Sequence, residues 1–251
     1  MMESRSKKIF ATLVLALNLT INFGQSGREE VKYHQWYDQL VGIENAGLYY
    51  GIIYKDGYRT INEKTKFFKS PDFLLGSVIY DEQPYYNLDM KYNVFEDELL
   101  VRTEDRVGGA TLQLFKNKIK EFTIEGHKFL KIEDTSLDIN IAGFYEVSLE
   151  NERFILLTKH KKKDFNRKDR SKLYYEFLDL RKQQVLLYEN SYHIIKSKKT
   201  IMKLFPGHKK EIDSFYRVAR SLRNSDPDKF ILALMKRIET LILQENKALT
   251  E

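Results

Sequence analysis

The histidines are the first residues to consider as metal ligands or general bases. No two of them stand in the His-Glu-x-x-His spacing, or in another short spacing that brings two imidazoles to one metal. This separation favours a structural or exposed position for each, and neither a metal nor another cofactor is expected. The chain has five: His34, His127, His160, His193 and His208.

Paired carboxylates are the next possibility, because two of them can supply the acid and the base of glycoside hydrolysis. The densest acidic group is Glu96, Asp97 and Glu98, which on a hairpin is more typical of a soluble turn. Catalytic carboxylates can lie far apart in a sequence and meet in the fold. A glycan-directed hydrolase therefore stays open as an alternative.

Other chemistries lack their sequence signatures. Asp134, Asp138 and Asn140 offer oxygen ligands in one loop, but without the full ligand series and the glycine of a calcium-binding loop. The chain has no cysteine, no Gly-x-Ser-x-Gly elbow and no Gly-rich phosphate loop. No catalytic residue is indicated, so a non-enzymatic binding or interaction protein is the leading interpretation.

Positive charge is most concentrated in residues 160–172. The stretch lies between two predicted strands, which predicts a long hairpin loop. Its cations, grouped around Phe165, could bind an anionic envelope partner such as a lipid surface or an acidic glycan. Asp164 and Asp169 interrupt the charge, so an ordinary solvated hairpin tip is the alternative. The candidate anion-binding residues are Lys161, Lys162, Lys163, Arg167, Lys168, Arg170 and Lys172.

The net charge of +6 is unevenly distributed along the chain. Residues 25–150 carry 15 Lys and Arg against 22 Asp and Glu, whereas residues 151–251 carry 24 against 13. The N-terminal half is therefore acidic and the C-terminal part basic.

Strands must position most of these residues. From Leu48 to about Ile195, short apolar stretches alternate with turn signals, which predicts antiparallel hairpins. In the clearest stretch, Tyr86, Leu88, Met90 and Tyr92 alternate with polar residues, so these four should share one buried face. Residues 154–157 and 185–188 are apolar on both faces, and a second layer must cover them.

The C-terminal part is predicted to be that second layer. Helical spacing indicates a turn over 199–205, a helix over 207–223 and a helix over 227–245 that begins at Asp226-Pro227. The predicted fold is mainly β (α+β), with a twisted antiparallel meander sheet, curled or flat, and a C-terminal helical hairpin. Residues 27–198 form the β domain, and residues 199–251 form the hairpin packed on it.

The first 26 residues predict an export signal. Arg5, Lys7 and Lys8 precede the apolar run 9–23, and Gly24 and Ser26 provide the small residues that precede cleavage. We expect a protein in the periplasm or associated with the outer membrane, with no transmembrane span in the mature chain and no nucleic acid as partner.

Several stretches resemble those of uncharacterised exported proteins that are common in Bacteroidota. They include Gly51-Ile52-Ile53-Tyr54, residues 86–92, residues 112–114 and Lys203-Leu204-Phe205-Pro206. The resemblance covers most of the mature chain and implies a Gram-negative cell-envelope location. It implies no catalytic residue, because the matching residues belong to hairpins and to the packing.

A curled sheet under helices could also enclose an apolar cavity. A carrier of an apolar ligand such as a lipid is therefore a second interpretation. The same pattern of apolar residues would describe a filled core or an empty one.

Overall fold

The computed structural model describes residues 29, 31–34, 36, 47–60, 63–103, 109–133, 141–169 and 172–248. The predicted signal peptide, residues 1–26, lies outside these residues. The strands are β1 (Ile52–Ile53), β2 (Leu74–Tyr80), β3 (Gln83–Asn93), β4 (Glu98–Arg102), β5 (Thr111–Gln113), β6 (Ile119–Ile124), β7 (His127–Ile132), β8 (Gly143–Glu150), β9 (Phe154–Lys159), β10 (Lys162–Asp169), β11 (Lys172–Asp179), β12 (Gln183–Tyr188) and β13 (Ser191–Ile194).

Eleven of these strands form one antiparallel sheet, which confirms the predicted fold class. Its order is β1-β5-β4-β3-β2-β6-β7-β8-β9-β12-β13, so most neighbours are also consecutive along the chain. The sheet stays open, with β1 and β13 at its edges. Strands β10 and β11 form a separate two-stranded ribbon, and Tyr175 of β11 makes one isolated bridge to Thr60.

The sheet is strongly curled. Four strand spacings separate β3 from β8, which is about 19 Å in a flat sheet. The ring centroids of Tyr92 on β3 and Phe144 on β8 are nevertheless only 6.0 Å apart. Between them pack Phe122 and Phe129, stacked at 4.7 Å. Aromatic side chains therefore fill the inside of the curl.

Strand β3 confirms most of its predicted alternation. Leu88, Met90 and Tyr92 are buried on one face, but Tyr85 is buried near the start of the strand while Tyr86 is half-buried. Asn87 has a φ of 55°, and the register with β2 shifts at the same level. This irregularity inserts one residue into the pattern, so the prediction for Tyr86 was wrong.

The C-terminal α-helices are α1 (Lys198–Leu204), α2 (Lys209–Val218), α3 (Arg220–Ser225) and α4 (Pro227–Ala248). The predicted helix over 207–223 is interrupted at Ala219, where ψ is 24°, so the tail has more segments than a simple hairpin. Helix α4 begins where predicted, and Asp226 Oδ1 accepts the Lys229 N–H at 3.0 Å. In the described part of the chain, no helix combines the length and apolarity needed to cross a bilayer.

The helices cover one face of the late strands, as predicted. Phe154, Leu156 and Leu186 pack against a cluster of helical side chains, and Leu157 and Val185 pack on the opposite face with Ile132, Ile141 and Tyr145. The helical side chains in this contact are Ile201, Ile212, Phe230, Leu234, Met235 and Ile238. Strands that are apolar on both faces thus find partners on both sides.

Candidate functional site

Two histidines and a glutamate meet on one face of the sheet. Phe129 of β7 is opposite Glu146 of β8, and Glu146 is opposite Thr158 of β9. His127 lies two residues before Phe129, and His160 lies two residues after Thr158. Because side chains two apart on a strand share a face, both imidazoles are diagonal neighbours of the Glu146 carboxylate.

The carboxylate of Glu146 binds both imidazoles. His127 Nδ1 is 2.5 Å from Oε1, and His160 Nε2 is 2.6 Å from Oε2. The Phe68 ring stands edge-on to both imidazoles, at centroid distances of 5.4 and 5.0 Å. We call His127, Glu146 and His160 the histidine triad.

Glu146 is held in its ionised form. Burial by itself would raise the pKa of this carboxyl group, but the hydrogen bonds from His160 and His127 outweigh burial and lower the pKa to about 2. Each imidazole therefore donates one N–H to the carboxylate. The other two ring nitrogens, His127 Nε2 and His160 Nδ1, have no hydrogen-bond partner among the described residues.

The triad lines an open cleft of about 530 Å³. We call it the histidine cleft. Its rim carries four lysines and two further carboxylates, most of them joined in ion pairs. Lys162 Nζ, for example, pairs with Asp179 at 3.3 Å and also donates to the Thr65 carbonyl oxygen at 2.8 Å. The charged rim residues are Lys64, Lys69, Lys162, Lys182, Glu63 and Asp179.

Within the part of the chain described, no group of three or more His, Cys, Asp or Glu side chains could hold a metal ion. Both Glu146 oxygens are engaged by the imidazoles. What the histidine cleft offers is two oriented imidazole nitrogens beside ammonium groups, a set suited to hydrogen bonding with oxygen-rich ligands or to proton transfer. Asp134, Asp138 and Asn140, considered above for calcium, lie outside the described residues.

The predicted basic loop is instead the ribbon of β10 and β11. Strand alternation divides its cations between two faces, with Lys163 and Arg167 on one and Lys162 and Lys168 on the other. The Lys162 side chain is only 10% exposed and pairs with Asp179 at 3.3 Å, so it is poorly placed for an external anion.

The remaining predicted cations lie along the ribbon or beside it. Lys161 Nζ donates to Gln183 Oε1 at 2.7 Å, Arg167 lies 3.9 Å from Glu176, and Lys172 is exposed. Arg170 lies outside the described residues. The predicted set is therefore spread over the ribbon rather than gathered at one point.

In the acidic group Glu96, Asp97 and Glu98, Asp97 is occupied by contacts within the protein. Asp97 accepts hydrogen bonds from Lys159 Nζ at 2.6 Å, Lys116 Nζ at 2.5 Å and the Tyr92 hydroxyl at 2.6 Å. Burial raises the pKa of Asp97, but Lys159 and the hydrogen bonds lower it below its usual value. These contacts tie the turn after β3 to the end of β9, which is a structural role.

Sequence reasoning missed the histidine triad. His127 and His160 are 33 positions apart, and their convergence depends on the registers of β7, β8 and β9. The one signal in the sequence was the alternation within each strand, which sets the face of a residue in its own strand but not its neighbours across the sheet.

No protein-family model, curated protein sequence or solved structure matches this chain. Functional inference therefore depends on the geometry of the sites.

Proposed function

We propose that this protein is an exported, non-enzymatic binding protein of the bacterial cell envelope, and that the histidine cleft is its ligand site. The observation that supports this most is the orientation of two imidazoles by one ionised carboxylate at the wall of an open cleft. The cleft volume of about 530 Å³ falls in the usual range of small-molecule sites, about 300 to 1,000 Å³.

The chemistry of the cleft favours an acidic saccharide as ligand. A neutral imidazole that donates one N–H to Glu146 can accept a hydroxyl proton at its other nitrogen, and a protonated one can donate there to a carboxylate. A uronic acid carries both groups. Lysines on the rim add positive charge, so an anionic sugar is preferred over a neutral one.

A hydrolase is the second candidate, because an imidazole oriented by a carboxylate is the usual arrangement of a general base. The described lining offers no hydroxyl or thiol nucleophile that is free to be activated by the imidazoles. Its hydroxyl group, Thr65 Oγ1, accepts the Phe67 N–H at 3.2 Å, and the lining has no serine or cysteine. This favours binding over catalysis.

A lipid carrier receives less support. The inside of the curl is occupied by side chains such as Tyr92, Phe122 and Phe129, each at most 1% exposed. The late strands are covered by helical side chains on one face and by a third apolar cluster on the other. Both surfaces proposed to line a lipid cavity are thus in contact with protein.

Calorimetric titration with trigalacturonic acid tests the binding proposal, with maltotriose as the uncharged comparison. We expect the acidic sugar to bind and maltotriose to bind more weakly or not at all, because the lysines on the rim attract a carboxylate. His127→Gln and His160→Gln should each weaken binding about tenfold, the usual effect of losing a hydrogen bond to a charged group.

His193→Gln is the matched control, since His193 lies on β13 and does not line the histidine cleft. Equal affinity of all four proteins would contradict the proposal. Chromatography of the same samples separates the two candidates, because release of galacturonic acid by the native protein, lost in the His127 and His160 variants, would establish the hydrolase instead.

The cell-envelope location rests on the N-terminal sequence and on the resemblance to exported proteins. Fractionation of cells that produce the full chain, with N-terminal sequencing of the product, tests it. A mature protein that begins near residue 25 to 27 in the periplasmic or membrane fraction is expected, and an intact N-terminus in the cytosol would contradict it.

A further inference from the structure

A second cleft shares Lys182 with the histidine cleft. It is lined by residues of β12, of β13 and of the start of α4. Its volume is about 530 Å³. Five of its lining residues are basic and one is acidic, which makes it far more positive than the histidine cleft. We call it the basic cleft. Its charged residues are Arg181, Lys182, Lys196, Lys198, Arg223 and Asp228.

Only part of this positive charge is neutralised within the protein. Lys182 pairs with Asp228 at 3.2 Å, and Lys198 pairs with Asp213. Arg181 and Lys196 have no ion-pair partner in the described residues. Arg223 stacks on the Tyr216 ring, with its guanidinium carbon 5.6 Å from the ring centroid.

Below its charged residues, the basic cleft is lined by one polar side chain and several apolar side chains. Gln184 is 8% exposed, accepts the Thr158 hydroxyl at 2.7 Å and donates to Asp228 Oδ1 at 3.1 Å. Phe230 is buried below the cleft, and Ile194 and Ile231 also line it. Arg181 and Lys196 are exposed, so their attraction for an anion acts largely through solvent, and the apolar floor of the cleft strengthens it only where a bound ligand displaces water.

We propose that the basic cleft binds a phosphate group. A guanidinium presents paired N–H donors that match phosphate oxygens, and an ammonium supplies a compact point charge. The phosphate can belong to a soluble phosphorylated compound or to the headgroup of an anionic phospholipid.

This inference is independent of the histidine cleft. The two clefts share Lys182 in their linings, but the unpaired cations Arg181 and Lys196 belong to the basic cleft alone. A variant that spares Lys182 therefore tests one cleft without altering the other.

The test uses the triple variant Arg181→Gln, Lys196→Gln and Arg223→Gln in the full mature chain. Its matched control is Lys209→Gln, Lys210→Gln and Arg237→Gln, which removes the same charge from exposed helical positions outside the basic cleft. Inorganic pyrophosphate is titrated by calorimetry, and flotation with phosphatidylglycerol vesicles, against phosphatidylcholine vesicles, measures headgroup binding. Far-UV circular dichroism checks that each variant is folded.

We expect the native protein and the control to bind at least one of these phosphates, and the triple variant to bind it at least about tenfold more weakly. Binding to pyrophosphate alone would identify a soluble ligand, and binding to vesicles alone a lipid headgroup. Equal weakening in the control variant, or no binding of either phosphate by the native protein at low salt, would overturn the inference. His127→Gln should bind pyrophosphate as the native protein does, so failure of the histidine cleft as a sugar site would leave this result unchanged.

Discussion

Glu146→Gln removes the charge that orients both imidazoles while keeping the shape of the side chain. A carboxyl group whose pKa falls from 4.5 to about 2 contributes about 3 kcal/mol to the free energy of unfolding, since one pKa unit corresponds to about 1.4 kcal/mol. Glu146 is 17% exposed, so solvent screening reduces this value only in part. We expect the variant to be less stable by about 2 to 3 kcal/mol at pH 7.

The loss should depend on pH in a defined direction. Because the pKa of Glu146 is lower in the folded than in the unfolded state, its contribution is complete above about pH 4.5 and disappears as the pH falls through about 2. The difference between native protein and variant should therefore shrink over this window. Urea unfolding followed by far-UV circular dichroism at pH 7, 4.5 and 3 measures it.

Glu150→Gln is the control, because Glu150 lies on the same strand and is exposed. It should change stability by less than about 0.5 kcal/mol. A Glu146→Gln variant as stable as the control at pH 7, or a deficit that is the same at every pH, would refute the account of the histidine triad.

Three further predictions concern the fold and the ribbon. Gly143 has a φ of 123°, and an added Cβ would overlap Asp97 Oδ2 and press on Lys159 Nζ, so Gly143→Ala should lower the unfolding free energy by more than about 2 kcal/mol. Gly126→Ala, with a φ of 76° but open space, should cost about 1 kcal/mol, and equal costs in urea unfolding would contradict the steric argument. Removal of residues 207–251 should expose the sheet face around Phe154 and Leu186 and cause aggregation, whereas a soluble truncated protein with an unchanged melting temperature would show that the tail is a separate module. Changing Lys161, Lys162, Lys163 and Arg167 to serine should abolish any binding of the ribbon to anionic liposomes at about 0.05 M salt and should have little effect at about 0.5 M. Equal binding of the native protein and the variant at low salt would show that the ribbon is an ordinary solvated hairpin.

Local patterns in the sequence were sufficient for many of the elements but not for their irregularities. The alternation around Leu88, Met90 and Tyr92 and the helical spacing after Asp226 both appear in the structure. The slip at Asn87 and the break at Ala219 do not interrupt the apolar pattern in a recognisable way. Each depends on the conformation of a single residue, which tertiary packing selects.

The basic stretch shows how charge can conceal secondary structure. Residues 162–169 are so polar that they suggested a loop, yet they pair along their length with β11. Phe177 on β11 is buried with its ring centroid 5.1 Å from that of Phe95, and Lys162 on β10 donates to the Thr65 carbonyl oxygen, so contacts from both strands hold the ribbon. Pairing with β11 makes β10 a strand, although the composition of β10 alone does not predict one.

The histidine triad was beyond sequence reasoning for a different reason. Each of its members is an ordinary residue in its own strand, and only the registers of β7, β8 and β9 bring them together. A shift of one residue in either pairing would turn one partner to the opposite face. Long-range register is the information that a single sequence does not contain.

The most direct test of the proposed ligand site is to observe the imidazoles themselves. Nuclear magnetic resonance of protein labelled with ¹⁵N-histidine, with assignments from the His127→Gln, His160→Gln and His193→Gln variants, follows each ring during titration with trigalacturonic acid. We predict that the ring signals of His127 and His160 shift together and saturate, while those of His193 stay in place. Unchanged His127 and His160 signals at saturating sugar, or equal shifts of all three histidines, would contradict a ligand site in the histidine cleft.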